Sequence, residues 1–229
     1  MHEANRGRAF RRKPDLEQVA ASLYGSLPYH NFEHVRFTLR AAQRLIHRAH
    51  AEGIAIDSEV VYLALLFHDA GYEADHLALG FATKEAYSAA LARQHLAAYG
   101  YPPSLLHRVE AAILSTHRDG SFHTPEQKAV RAADLSGLAA PYAVFRGNAE
   151  LLRLEWQQLT GERIAWEAWV PKVINALKLY IGQRIRLTRY YADAEGRSVF
   201  HIRSLRNLQR LAAEAPSQET TSALASLPI

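Results

Sequence analysis

The sequence predicts an all-α fold, a helical bundle with a C-terminal helical extension. Three observations carry that expectation. Apolar residues recur at helical spacing along most of the chain. Segment ends carry helix punctuation, with Asn, Asp, Thr or Pro at the starts and Gly at the stops. No alternating apolar–polar run is bracketed by turn residues, so strands are not expected.

The elements follow in order. Met1 to Lys13 is polar, basic and unpatterned and is expected to be a disordered tail. Pro14 suits a first helical position, with Leu16, Val19, Ala20 and Leu23 forming the stripe of a short helix that Gly25 and Pro28 end. Asn31 is a candidate N-cap for a helix whose apolar face is Val35, Leu39, Ala42, Leu45 and Ile46 and whose stop is Gly53. Asp57 caps the next helix, apolar nearly all round from Val60 to Phe67, the pattern of a fully buried element. Thr83 opens a helix that runs to Tyr99 and stops at Gly100. Pro103 opens one that runs to about His117, with Leu106, Val109 and Ile113 inward. Thr124-Pro125-Glu126-Gln127 is a capping box with proline at the first position of a helix carrying Asp134 among Val130, Ala133, Gly137 and Leu138. A Leu- and Trp-rich stretch follows to Thr160, broken at Gly161. Then come a long helix from about Trp166 to Tyr191, a loop at Asp193 to Gly196, and a helix from about Val199 to Ala213. One helical domain is thus expected over residues 14–213, with residues 214–229 mostly unstructured.

Composition narrows the class. In 229 residues, 48% hydrophobic and 22% charged is ordinary for a soluble globular chain with a sizeable core. The apolar run from Val60 to Phe67 is far too short to span a bilayer, and the basic N-terminus lacks the apolar segment of a secretory signal, so the cytoplasm is the expected location. The chain has no cysteine, which excludes disulfides and thiolate ligands. A formal charge of +4 favours anionic ligands. No basic run is interleaved with aromatics, so nucleic acid is not expected as a partner. Nucleotide-binding glycine loops and the Ser-hydrolase elbow are also missing.

The chemistry gathers around VVYLALLFHDAGYE, Val60 to Glu73. The buried helix ends in His68 and Asp69, just before Gly71. Adjacent residues in mid-helix point about 100° apart, but at a helix end both side chains can face one point. Asp134 lies on the apolar face of its helix, where an unpaired buried carboxylate costs several kcal/mol. His34 follows the apolar stripe of its own helix. Two imidazoles and two carboxylates around a divalent ion satisfy all four groups at once, with open positions left for water and substrate. Taken singly, each has a plainer reading: a satisfied core histidine, a capping or salt-bridged aspartate. The ordered set on three helices is what is specific.

That set, H…HD…D, resembles the HD superfamily of metal-dependent phosphohydrolases. The local strings match as well: YHNFEH from Tyr29 to His34, FHDAGYE from Phe67 to Glu73, and AADLSGL from Ala132 to Leu138. They look like a bacterial branch described as predicted metal-dependent HD phosphohydrolases, over roughly Leu23 to Tyr191. The resemblance implies an HD-domain helical bundle, with His34, His68, Asp69 and Asp134 as metal ligands. It implies hydrolysis of a phosphomonoester, phosphodiester or nucleotide by a metal-bound hydroxide. All-N/O ligation suits Mn, Fe, Co, Ni, Zn or Mg without choosing among them.

The YHNxxH string is also similar to one in cyclic-nucleotide phosphodiesterases, where its first histidine is the general acid. By that likeness His30 protonates the leaving oxygen, a role suited to a side chain that changes charge near neutral pH. A hydrogen-bonding support role is the alternative, since nothing else here resembles the nucleotide clamps of those enzymes. Some HD proteins hold a second metal on further histidines, for which His95 and His117 are the candidates. Glu73, one turn beyond the HD pair, is a candidate to orient or deprotonate the attacking water. Lys84, Arg118 and Arg146 are candidate phosphate-binding groups, though each alone reads as a surface charge.

The expected partner is a small phosphorylated, nucleotide-like substrate, with self-association left open and no membrane contact. Two competing functions remain: a dinuclear-iron oxygenase, which requires both His95 and His117 as ligands, and a catalytically weak HD module that binds a nucleotide.

Overall fold

The computed structural model describes residues 10–215. Among them are nine α-helices and one 3-10 turn, with no strand. The helices are α1 (Pro14–Ala21), α2 (Phe32–Ala51), α3 (Ser58–Phe67), α4 (Lys84–Ala98), α5 (Pro103–Leu114), α6 (Pro125–Asp134), α7 (Tyr142–Thr160), α8 (Trp166–Gly182) and α9 (Val199–Glu214). The all-α class is as the sequence predicts. No described helix is long and apolar enough to cross a membrane.

Within the range read from sequence as one domain, the packing separates two compact units. The first runs to Ser26 and from His30 to Asp134; the second holds Leu27–Tyr29 and the residues from Leu135 onward. The expected tails fall mostly on residues 1–9 and 216–229, which lie outside the described residues. Residues 10–13 are not a loose tail. Phe10 is buried against the Tyr62 ring, centroids 4.9 Å apart, and the Lys13 backbone N–H donates to the Tyr62 hydroxyl at 2.9 Å. An aromatic at Phe10 supplies enough apolar surface to anchor the basic segment on α3.

In the first unit α3 is the hub. Every residue from Val60 to Phe67 is buried, and α3 packs against α1, α2, α4, α5 and α6. Burying a side chain such as Leu63, Leu65 or Phe67 contributes about 1.5–3 kcal/mol each. Asp57 starts the helix by accepting from the Glu59 and Val60 N–H groups, a cap worth about 1 kcal/mol. Asn31 does the same for α2 and Thr83 for α4. At α6 the capping box is reciprocal: Thr124 Oγ1 accepts from the Gln127 N–H at 3.3 Å, and Gln127 Oε1 accepts from the Thr124 N–H at 3.0 Å.

Three sequence boundaries move. α5 ends at Leu114 rather than His117, because the Ser115 and Thr116 hydroxyls turn back onto the Ala112 and Ile113 carbonyls and compete with the helix ladder. The helix carrying Asp134 ends at that residue, and Gly137 and Leu138 lie in the 3-10 turn that follows. α8 stops at Gly182, not Tyr191. Ile181, Ile185, Thr188 and Tyr191 are all buried and keep a helix-like spacing, yet the chain after Gly182 is turns and loop. Gly182, a weak helix former, is the last residue of the helix, and burial continues beyond it.

The second unit builds its own core from the 3-10 turn, α7, α8 and α9. Buried Asn207 donates from Nδ2 to the Leu138 and Ala140 carbonyls, and Trp169 Nε1 donates to the Ala149 carbonyl at 2.9 Å. Gly161 ends α7 at φ 74°.

Candidate metal centre

Three helix ends of the first unit supply the site. His34 is the third residue of α2; its N–H, with that of Glu33, is held by the Asn31 cap, which fixes the first turn from which the imidazole projects. His68 is the C-cap of α3, still in αR conformation at φ −58°. Asp69 follows it in the turn, and Asp134 is the last residue of α6. α3 and α6 thus both end here, and the partial negative charge of a helix C-terminus favours a cation.

Gly71 makes the turn possible. Its φ of 71° is in the left-handed region, and its N–H donates to the Leu23 carbonyl at 2.9 Å. A Cβ there would sit 2.5 Å from the Tyr87 ring. The backbone can therefore reverse tightly just beyond Asp69 and leave both adjacent side chains at one point.

Three side chains converge, and Asp69 lies beside their two imidazoles. His34 Nε2, His68 Nε2 and an Asp134 oxygen lie within 4.8 Å of one another. His34 Nε2 is 3.1 Å from Asp134 Oδ1 and 3.3 Å from His68 Nε2; His68 Nε2 is 3.5 Å from Asp134 Oδ1. Asp69 Oδ2 is 3.0 Å from His68 Nε2 and 3.6 Å from His34 Nε2. Donors held about 2.1 Å from a shared ion are about 3.0 Å apart at right angles and about 3.4 Å apart at the tetrahedral angle. The spacings among His34, His68 and Asp134 match the edges of such a polyhedron, while Asp69 lies beside this group and is not one of its members. The donor set of imidazole and carboxylate therefore fits a divalent ion, and this group can hold one.

Tautomer and charge agree with that fit. His68 Nδ1–H donates to the Leu65 carbonyl at 2.9 Å, which leaves Nε2 as the nitrogen whose lone pair faces the site. Both imidazoles are buried, at 7% exposure for His34 and 1% for His68. Burial alone would lower the pKa of His68, but Asp69 and Asp134 outweigh it and raise it well above the ordinary value. Burial likewise opposes ionisation of the two carboxylates. His68, His30 and His34 overcome it at Asp69, which is held down to about 2. Hydrogen bonds from His34 and His68 drive Asp134 well below the carboxylate range. Two anions aimed at two imidazole nitrogens make a point that attracts positive charge, as protons or as a divalent cation.

No family model matches the chain, and no curated protein matches it at a significant level.

The remaining sequence candidates divide. His30 lies just before α2, its ring edge-on to His34 with centroids 5.9 Å apart, and its charge bears on Asp69. Lys84 opens α4 with its ammonium 3.5 Å from the centroid of the Tyr72 ring. Glu73 is exposed, its carboxyl group packed over the Cα of Gly25. His95 stacks on Phe67 at 6.2 Å, and His117 accepts the Asp119 N–H at its Nδ1. Neither joins the cluster of ligand atoms, so among the described residues the structure brings together no second metal group. Arg118 is exposed and pairs with its neighbour Asp119 at 3.2 Å. Arg146 belongs to the second unit, where it pairs with Glu214 at 2.9 Å and lies over the Trp166 ring.

Two residues that the sequence did not single out brace helix ends of this unit. Tyr24 donates to the Leu66 carbonyl at 3.0 Å; burial and the nearby Asp69 and Asp134 charges push its pKa well up, so it stays a neutral donor. It braces the last turn of α3 beside the His68–Asp69 pair. Arg131 of α6 is fully buried and donates to the carbonyls of Ser115, His117 and Arg118, closing the C-terminal end of α5. Neither has a local sequence signal, because each partner is remote in the chain.

Proposed function

We propose that the chain is a metal-dependent phosphohydrolase of the HD type. The observation that carries this reading is the convergence of His34, His68 and Asp134 within 4.8 Å, with Asp69 against both imidazoles. The strings YHNFEH, FHDAGYE and AADLSGL support it by their resemblance to that superfamily.

His34, His68, Asp69 and Asp134 would hold one divalent ion, for which Mn, Fe, Co, Ni, Zn and Mg all suit the donor set. When bound, such an ion supplies a Lewis acid that polarises a phosphoryl oxygen and makes water a competent nucleophile near neutral pH. The chain's own residues do the remainder. The Leu65 carbonyl holds the His68 tautomer, and Asp69 and Asp134 stay ionised to balance positive charge. His30, edge-on to His34, is the residue to protonate the departing oxygen. The substrate class is a small phosphomonoester, phosphodiester or nucleotide. The dinuclear-iron reading requires His95 and His117 as ligands, and neither joins the group.

The test is elemental analysis of the purified protein, followed by a phosphate-release screen with each metal restored and aryl phosphates and nucleotides as substrates. His68→Ala and Asp69→Ala are expected to lose both bound metal and turnover. Unchanged metal content and turnover in both variants would overturn the proposal.

A further inference from the structure

His30 needs an explanation for its orientation. It lies in the bend before α2, where no helix ladder fixes the backbone. A proton donor acts only in a narrow range of positions. The structure supplies a restraint from another part of the first unit. The ring of His30 lies parallel to that of Tyr72, centroids 3.9 Å apart and planes 10° apart. The Lys84 ammonium sits 3.5 Å from the centroid of Tyr72. A stacked imidazole fills one face of the phenol ring, so the ammonium occupies the other.

The order is thus Lys84, Tyr72, His30, and then His34 of the metal group. Each step has a physical cause. Lys84 is fixed as the first residue of α4 by the Thr83 cap. Tyr72 follows Gly71, whose left-handed turn sets the direction of the next residue. A cation over an aromatic face contributes about 0.5–2 kcal/mol, and a ring pair contributes about 0.5–1.5 kcal/mol beyond its buried area. Together these hold a loop imidazole in one plane. Lys84 stands two ring layers from His34, so its part is to brace Tyr72 rather than to grip the phosphoryl group undergoing transfer.

We propose that Tyr72, braced by Lys84, is the positioning residue that aims His30 at the leaving-group side of the metal group. Its catalytic consequence rests on the phosphohydrolase reading; its structural content does not. Tyr72→Phe keeps the aromatic face and is expected to keep the stack on His30. Tyr72→Leu removes the face, and Lys84→Met removes the brace.

The first readout is NMR of the His30 ring C–H resonances, assigned with His30→Ala. Stacking on Tyr72 shields them, so they should move downfield in Tyr72→Leu, less far in Lys84→Met, and stay in place in Tyr72→Phe. The second is turnover with a poor leaving group, phenyl phosphate, against a good one, 2,4-dinitrophenyl phosphate. Tyr72→Leu should lower kcat for phenyl phosphate by about 10- to 100-fold, with bound metal and the dinitrophenyl rate nearly unchanged, because only the poor leaving group needs the proton. His30→Ala combined with Tyr72→Leu should lose no more than His30→Ala alone. Unmoved resonances in Tyr72→Leu, equal losses for both leaving groups, or additive losses in the double variant would overturn the proposal. If the parent protein releases no phosphate with any metal, the phosphohydrolase reading fails, and the resonance shifts alone decide whether Tyr72 positions His30.

Discussion

Gly71→Ala should damage both the fold and the site, and a matched variant separates the two costs. Gly71 has φ 71° and Gly53 has φ 73°, so alanine at either position suffers the left-handed penalty of about 1–2 kcal/mol. The surroundings differ. A Cβ at Gly53 meets nothing within 4 Å, whereas at Gly71 it would lie 2.5 Å from Tyr87 Cε1 and 2.9 Å from Leu91 Cδ1. Relieving that overlap adds about 1–3 kcal/mol. Gly71→Ala should therefore cost about 2–5 kcal/mol and Gly53→Ala only about 1–2 kcal/mol. Urea denaturation followed by circular dichroism measures both. Because Gly71 is two residues beyond Asp69, its variant should also bind metal more weakly, while Gly53→Ala binds normally. Equal losses of stability in the two variants, with metal binding intact in both, would refute the argument that the tight turn at Gly71 aims the His68–Asp69 pair.

Other outcomes follow from the same packing. Arg131→Met should destabilise the protein by about 3 kcal/mol or more in urea, since it strips charged donors from the Ser115, His117 and Arg118 carbonyls. Chelation should lower the melting temperature of the parent protein but not that of His68→Ala, because a ligand bound only by the folded state stabilises it. In the second unit, burial opposes ionisation of Glu214, but Tyr142 and Arg146 hold its pKa below the usual 4.5. A depressed folded pKa stabilises above the unfolded value, and the gain disappears as pH falls through the folded one. Glu214→Gln should thus be less stable than the parent at pH 7, with the gap shrinking steadily below about pH 4.5 in acid-titrated melts.

What could be read from the chain was what is locally encoded. Asn31, Asp57, Thr83 and the Thr124–Gln127 pair act on N–H groups two or three residues away, so their patterns announce helix starts. The burial of α3 was legible because no face of Val60 to Phe67 is polar. The convergence of His34, His68 and Asp134 was legible because buried ionisable groups must share a partner. The supports were not legible. Tyr72 meets His30 across 42 positions of chain, and Tyr24 reaches Leu66 at the same separation, with no period to betray either. His95 and His117 show the opposite failure. Their placement between the metal-type residues suggested ligands, but one stacks on Phe67 and the other accepts from the Asp119 backbone. The end of α8 misled for a related reason: buried residues continue at helical spacing past Gly182 although the helix does not.

The central question is whether the first unit binds a divalent ion through His34, His68 and Asp134, with Asp69 beside them. The direct measurement is the number of metal equivalents per chain after loading and dialysis, in the parent protein and in His34→Ala, His68→Ala and Asp134→Ala. One equivalent in the parent, with loss in each variant that still folds, is the predicted result. A parent that retains no ion after loading with any of the six candidate metals, or folded variants that retain as much as the parent, would contradict it.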